Sequence, residues 1–462
     1  MFGNIINTFA NCFKIPELKS RIIFTLLVLA ICRLASMIPI PGLDGAELAR
    51  YFKSVAGKAG SDGLMGMYNL FTGGAFERCA VASLGIMPYI TSTIIIQLLS
   101  AVVPRLSKLA REEGGRTQII KYGRYLTVLL CLVWGCVTAF SWEKPATAFG
   151  EGIGRLVLYS DNWIWWYRFQ TMIILTTGTL LLMWLGEQIT ERGIGNGVSL
   201  VISIGIIARL PQAALSLKDM FLPGADVAAR FHPFHAIALF LLLVGVIAGV
   251  IAVTQAQRKI AVQYAQRAVG RKVFSGGTSF MPLRVNYAGV MPIIFAQSIL
   301  MFPQRLFQMI GQSKGWKVFS DIANLLSEGA ILYMALYALM ILFFSYFWVA
   351  TQFNELQIAD DLKKHGGYIP GVRPGTATSD FLHNAMSRIT LAGAVFLTVI
   401  AVIPIWLSRE MSIPPLVAQF FGGTSMLILV GVMLDTMRQM ESHLLMRHYD
   451  GFLKKGRLKG RF

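Results

Sequence analysis

The residue types that make and break bonds are sparse in this sequence, and their spacing points away from covalent chemistry. The cysteines Cys12, Cys32, Cys79, Cys131 and Cys136 are scattered, with no CxxC pair and no histidine cluster beside them. Neither a zinc site nor a dithiol couple is therefore implied. Most of them fall in apolar runs, where a thiol behaves as a small buried hydrophobe. There is no HExxH, no P-loop and no GxSxG with usable partners. The stretch Gly193-Ile194-Gly195-Asn196-Gly197 has the composition of a dinucleotide loop, but no strand precedes it and an apolar helix follows. It reads as a flexible break at a membrane face. The chain is expected to use no cofactor and no metal, and not to be an enzyme.

The recognisable chemistry is non-covalent. Arg258, Lys259, Arg267, Arg271, Lys272 and Arg284 crowd residues 254–285, and Lys363, Lys364 and Arg373 mark residues 351–388. Pro370-Gly371 and Pro374-Gly375 frame Arg373 in a rigid exposed turn. Two basic loops on one side suit docking of an acidic partner such as ribosomal RNA or a motor protein. The plainer alternative is a solvated charge run that only sets topology.

The elements that position these loops follow from composition. Of 462 residues 55% are hydrophobic and 14% charged, where a soluble domain carries roughly 25% charge. A soluble fold of this size could not hide that apolar surface, whereas lipid can, at ~20 apolar residues per helical crossing. The runs are continuous rather than alternating, which disfavours a barrel. The net charge of +18 is spread in short clusters between runs, a pattern of topology control rather than of one nucleic-acid face.

Ten apolar runs lie near 22–39, 79–100, 126–141, 167–186, 194–209, 233–253, 285–303, 329–350, 389–407 and 415–434. The first is too long for a signal-peptide core and lacks a cleavage site, so it reads as a retained span. The connections on the side of both termini hold 27 Lys and Arg against 11 on the other side. Both termini are accordingly expected in the cytoplasm. Arg33 is the single charge in the interior of a run, the others standing at run ends, and a helix-packing or snorkelling role is expected for it. The lack of buried acids argues against an ion-coupled transporter, and an intramembrane enzyme would need paired groups at depth.

Two features suggest how the spans are arranged. Gly85-Ile86-Met87-Pro88 in the second run is echoed by Gly289-Val290-Met291-Pro292 in the seventh. Five spans per half would make the halves opposite in topology, with the interrupted segments at a functional seam. On that reading the second and seventh spans face one another, with Ser92 and Gln297 as trial crosslinking positions. Between the first two runs, Leu64, Met65, Met67, Tyr68, Leu70 and Phe71 form an apolar patch followed by Gly73-Gly74. It is too short to cross a bilayer, so it is either re-entrant or an interfacial helix on the outer face.

These residues resemble bacterial SecY, a family of pore-forming subunits of the general secretory protein translocase. The resemblance is carried by Gly186-Glu187-Gln188-Ile189-Thr190-Glu191-Arg192 with Gly193–Gly197, and by Ile38-Pro39-Ile40-Pro41-Gly42. It extends to the stretch Gly85–Leu99, to Val372-Arg373-Pro374-Gly375 and to Phe421-Gly422-Gly423-Thr424-Ser425. It implies an all-α polytopic membrane protein, with ten transmembrane helices in two inverted five-helix halves around a central pore. The halves would span 22–217 and 233–434, between a cytoplasmic segment 1–21 and a basic tail 435–462.

Carried over residue by residue, the resemblance implies a pore ring of Ile86, Ile90, Ile202, Ile294 and Ile428. Val198, adjacent to it, stands where the family more commonly has Ile. The patch at 64–74 becomes a plug hinged at its two glycines. The lateral gate falls at Gly85, Pro88, Ser92, Gly289, Pro292 and Gln297, and Arg267, Arg271, Lys272, Lys363, Lys364 and Arg373 belong to docking loops. The implied activity is passive, gated conduction of unfolded polypeptides, with sideways release of apolar segments into lipid. Implied partners are SecE-like and SecG-like small membrane subunits, the SecA motor, the ribosome, signal peptides, nascent chains and membrane lipid, at a bacterial plasma membrane. The outer segment 407–419 with Pro414-Pro415 looks longer than usual and has no assigned role.

Overall fold

A computed structural model describes residues 15–55, 69, 71–112, 114–145, 153–221, 233–264, 267–269, 272–274, 277–314, 316–327, 330–410, 413, 417, 420 and 423–455. Ten long helices stand at the ten apolar runs. In the first half these are α1 (Pro16–Ala35), α3 (Met87–Val102), α5 (Gly115–Glu143), α6 (Ile164–Arg192) and α7 (Gly197–Phe221). In the second they are α8 (Pro233–Gln255), α9 (Met291–Lys314), α11 (Ile331–Gln352), α13 (Thr376–Glu410) and α14 (Thr424–Lys455). Shorter helices α2 (Gly45–Val55), α4 (Pro104–Arg111), α10 (Lys317–Leu325) and α12 (Glu355–Lys364) lie in the connections.

Packing repeats between the halves. In the first, α1 packs on α6 and α7, α3 on α5, and α5 on α6. In the second, α8 packs on α13 and α14, α9 on α11, and α11 on α13. Matching the five long helices of each half in chain order converts these contacts into one another, although α6 also packs closely on α7 where α13 and α14 do not repeat that contact to the same extent. Between the halves α3 meets α9 and α7 meets α14. Each of these joins a helix to its own counterpart, as a pseudo-two-fold axis running between the halves requires. With five spans per half, that axis inverts the second half relative to the first.

Two ion pairs mark the depth of the bilayer. On α5 and α6, Arg124 donates from Nε and Nη2 to the Glu187 carboxylate at 3.2 and 2.8 Å. At the opposite ends of the same helices Arg168 holds Glu143 at 2.8 and 2.9 Å. Nineteen residues separate the two pairs on either helix, a rise of about 28 Å, close to the ~30 Å hydrocarbon core. Trp163, Trp165 and Trp166 are exposed beside Arg168, as in an aromatic belt at a membrane interface.

Backbones approach closely inside the first half. A Cβ on Gly178 of α6 would lie 2.1 Å from the Val81 carbonyl oxygen. Gly178→Ala should therefore displace that backbone, at roughly 1–3 kcal/mol. Its thermal unfolding midpoint in detergent is expected several degrees below the parent's, and an equal midpoint would show that the contact yields freely.

The two basic loops hold a small sheet that an all-helical reading omits. Strands β1 (Gln257–Tyr264) and β4 (Thr278–Arg284) pair antiparallel, Gln257 opposite Arg284 and Gln263 opposite Thr278. Strand β5 (Gly367–Tyr368) adds to the other edge of β1, Gln263 opposite Tyr368. The two basic loops are thus one body, packed on an apolar cluster that includes Ile260, Leu283, Ile369 and Leu382. Between β1 and β4, β2 (Arg267–Val269) and β3 (Lys272–Phe274) form a hairpin.

A candidate pore at the junction of the two halves

The four helices at the inter-half contacts are the ones that carry the ring residues. Ile86 is the N-cap of α3 and Ile90 lies one turn on; Ile202 is on α7, Ile294 on α9 and Ile428 on α14. All five are at most 5% exposed and belong to one apolar cluster, with Val198 partly buried against it. Branched apolar side chains from both halves thus share one buried core, which extends well beyond the inter-half contacts to residues such as Leu48, Trp142 and Tyr337.

The Gly-x-Met-Pro echoes sit beside this cluster, but they do not break a span as the sequence reading expects. Gly85 and Gly289 both adopt φ 60, and each starts a helix, with Met87 or Met291 first and proline second. The glycine supplies the left-handed turn and the proline presets the first helical turn. Residues 79–86 are consequently non-helical, and α3 has 16 residues. Irregular backbone at membrane depth must be enclosed by protein. Cys79, Ala80, Ala82, Ser83, Leu84 and Ile86 are all buried, the Ile40 amide donates to the Cys79 carbonyl and the Val81 amide to the Ile38 carbonyl, each at 2.9 Å.

Of the expected plug, Leu64, Met65, Met67, Tyr68 and Leu70 lie outside the described residues. Phe71, Gly73 and Gly74 are described, and the loop they form lies against Arg33 and α7. Gly73 and Gly74 take φ 62 and 86. Arg33 Nη2 donates to the Gly73 carbonyl at 3.0 Å. A Cβ on Gly73 would lie 2.8 Å from Gly205 Cα on α7. Arg33 therefore faces inward to hold the loop and does not snorkel.

Sequence reading missed the ion pair beside it. Arg209 Nη2 on α7 lies 2.8 Å from Glu77 Oε2, and the Asn69 amide donates to the same oxygen at 2.8 Å. Arg209 and Glu77 stand at the edges of apolar runs and are 132 residues apart. Only their opposite charge flanking apolar stretches could have signalled the pair.

The gate positions divide. Gly85, Pro88, Gly289 and Pro292 lie at the N-terminal ends of α3 and α9, which pack together. Ser92 donates to the Gly123 carbonyl of α5 at 2.5 Å. Gln297 donates to Thr424 Oγ1 at the start of α14, at 3.3 Å. These two side chains look into their neighbours and not at one another.

On the basic loops Arg373, Lys363 and Lys364 are exposed. Gly371 and Gly375 adopt φ 83 and 107, and Thr378 donates to the Arg373 carbonyl at 2.9 Å, which fixes the turn. Arg267 and Lys272 lie on the β2–β3 hairpin, and Arg271 lies outside the described residues. The glycine-rich loop after α6 is a pinned turn and not a loose break. The Gly195 amide donates to Gln439 at 2.8 Å and the Ile194 amide to Thr25 at 3.1 Å. Cys32, Cys79 and Cys131 are buried as expected; Cys136, on α5, is exposed. Among the described residues no group of acids, histidines and cysteines is placed to hold a metal.

The SecY family profile matches residues 80–437, a stretch that carries every ring residue. The chain belongs to the SecY family. The protein translocase subunit SecY of Chlamydia trachomatis serovar D is 42% identical over 462 residues, covering 98% of this chain and 99% of that one. A solved protein-conducting channel superimposes with a TM-score of 0.61 at 18% identity, covering 95% of this chain and 94% of that one. Sec61 in the canine ribosome-channel complex from the endoplasmic reticulum gives a TM-score of 0.57 at 17% identity, covering 95% and 94%. The SecY fold of ten helices in two inverted halves is therefore that of this multi-pass membrane protein, and the family is one of protein-conducting channels.

Proposed function

We propose that this chain is the passive, gated pore of a protein translocase, passing unfolded polypeptides across the membrane and releasing apolar segments sideways into lipid. The observation that carries the reading is that Ile86, Ile90, Ile202, Ile294 and Ile428, all buried in one apolar core, lie on the four helices that meet at the pseudo-two-fold contacts between the halves. A narrow ring of branched apolar side chains sheds water and so blocks ions. It makes no specific bond to what passes, so an extended chain of any sequence can part it. Residues 71–86 close the outer side, and the seam between α3 and α9 offers the lateral exit, because membrane helices held by packing alone separate at modest cost. The functional halves are 22–217 and 233–434.

Energy must then come from a partner. The basic sheet and the Arg373 turn form the docking surface for a SecA-like motor and for the ribosome, and SecE-like and SecG-like subunits complete the channel. The membrane is a bacterial plasma membrane with both termini in the cytoplasm. Vesicles holding the chain with those subunits and a motor ATPase should protect a labelled presecretory polypeptide from external protease when ATP is added. ATP-independent protection, or none from an assembled complex, would overturn the reading.

The docking role has its own test. Arg373→Glu reverses the charge in a turn whose shape is set by backbone and by Thr378, so assembly is expected to be normal. Motor-driven export should fall by about tenfold or more, since a like-charge contact replaces an opposite one. Export at the parent's rate would remove Arg373 from the docking surface.

A further inference from the structure

We propose that Glu77 and Arg209 form a latch that ties the outer closing loop to the pore ring through α7, and so sets how readily the resting channel yields. The inference rests on reading the chain as a gated pore. It adds two positioning residues that neither the ring nor the docking loops contain.

The geometry runs along one stripe of α7. Val198, Ile202, Gly205 and Arg209 recur at the spacing of a single helical face. Ile202 lies in the apolar cluster. A Cβ on Gly205 would lie 3.1 Å from the Phe71 carbonyl oxygen, so the closing loop rests directly on the helix. Two turns beyond Ile202, Arg209 reaches Glu77 at 2.8 Å, with side chains only 8% and 15% exposed. Any outward movement of α7 that withdraws Ile202 from the ring also withdraws the seat of the loop and the cation that holds Glu77. Ring and loop must therefore release together.

The contact is built to hold without locking. Asn69 braces Glu77 from both sides, its amide donating to Oε2 at 2.8 Å and its oxygen accepting from the Glu77 backbone amide at 3.3 Å. Gln212 accepts from Arg209 Nη1 at 2.7 Å, while Arg209 Nε is buried without a partner. Arg78 and Arg209 both lie near enough to Arg33 to repel it. Loss of Glu77 leaves the buried Arg209 guanidinium without its anion, whereas loss of Arg209 leaves Glu77 still braced by Asn69. The effects of the two substitutions should be unequal.

The test is resting ion conductance of the assembled channel in planar bilayers, for E77Q, R209Q, the double variant and the swap E77R/R209E. An Ile86→Gly, Ile294→Gly channel serves as the open standard. E77Q is expected to raise resting conductance by about tenfold or more, because stripping one side of a largely buried pair is costly. R209Q should raise it less, the double should leak no more than E77Q, and the swap should recover part of the seal. Singles as tight as the parent beside a leaking standard would overturn the latch and leave the pore standing. Leaks that simply multiply in the double would show that the two residues act separately, which also overturns it. A standard that never leaks would instead overturn the pore reading itself. Should E77Q not assemble, R209K reports on the same contact: it keeps the charge but loses the guanidinium fork, and a seal equal to the parent's would count against the latch.

Discussion

Serine at Ile86 and Ile294 together will make the closed channel conduct ions. These residues come from opposite halves, each is at most 3% exposed, and both belong to the central apolar cluster. Two hydroxyls in a constriction sealed by dewetting give water a foothold and ions a path. Resting conductance in planar bilayers should rise by at least roughly tenfold, the largest effect expected of any pair on the ring. Shortening core side chains also costs stability, typically ~1 kcal/mol for Ile→Val and more for larger truncations. The matched control is Ile86→Val with Ile294→Val, which keeps the surface apolar and should stay sealed. A serine pair no leakier than the valine pair would mean that these residues are packing and not a barrier.

A covalent tie across the seam between α3 and α9 will stop export completely and reversibly. The two helices are in contact, and the proposed exit requires them to part. Single cysteines should be scanned over residues 91–98 against 294–301, in a background cleared of the five native cysteines. Ser92 and Gln297 are poor choices, because their side chains engage Gly123 and Thr424. A disulfide needs Cα atoms within roughly 7 Å, so a few pairs are expected to close and most are not. Closure should abolish transport of a presecretory polypeptide, and a reductant should restore it. A crosslinked channel that still exports would leave the helices adjacent but would remove the gate.

The spans were legible because lipid demands long, continuous apolar runs, and each of the ten runs holds a long helix. Where those helices begin was less legible. Gly85-Ile86-Met87-Pro88 looks like an interruption within a span, whereas its left-handed glycine makes it a helix start, with the preceding residues folded as buried turns. The sheet escaped notice because its strands are short and β5 lies about a hundred residues beyond β1. The alternation of Ile260 and Val262 with polar neighbours was its only local trace. Which face of α3 or α9 meets its counterpart is a tertiary property, and an echo of four residues could not fix it. The ring rests on resemblance, since five isoleucines spread over four runs share no local signal. The Glu77–Arg209 pair needed the fold to bring distant residues together.

The shared sheet has a mechanical consequence. Strand β4 ends at Arg284 and helix α9 begins at Met291, so only a six-residue strap separates the sheet from a helix of the seam. Strand β5 belongs to the other loop and leads through the Arg373 turn into α13. On the docking proposed above, a partner that grips these loops would hold a crank with two arms inside the second half, one leading to α9 and one to α13. A partner on the sheet need not reach into the membrane to work the channel, because the torque it applies is delivered at the seam.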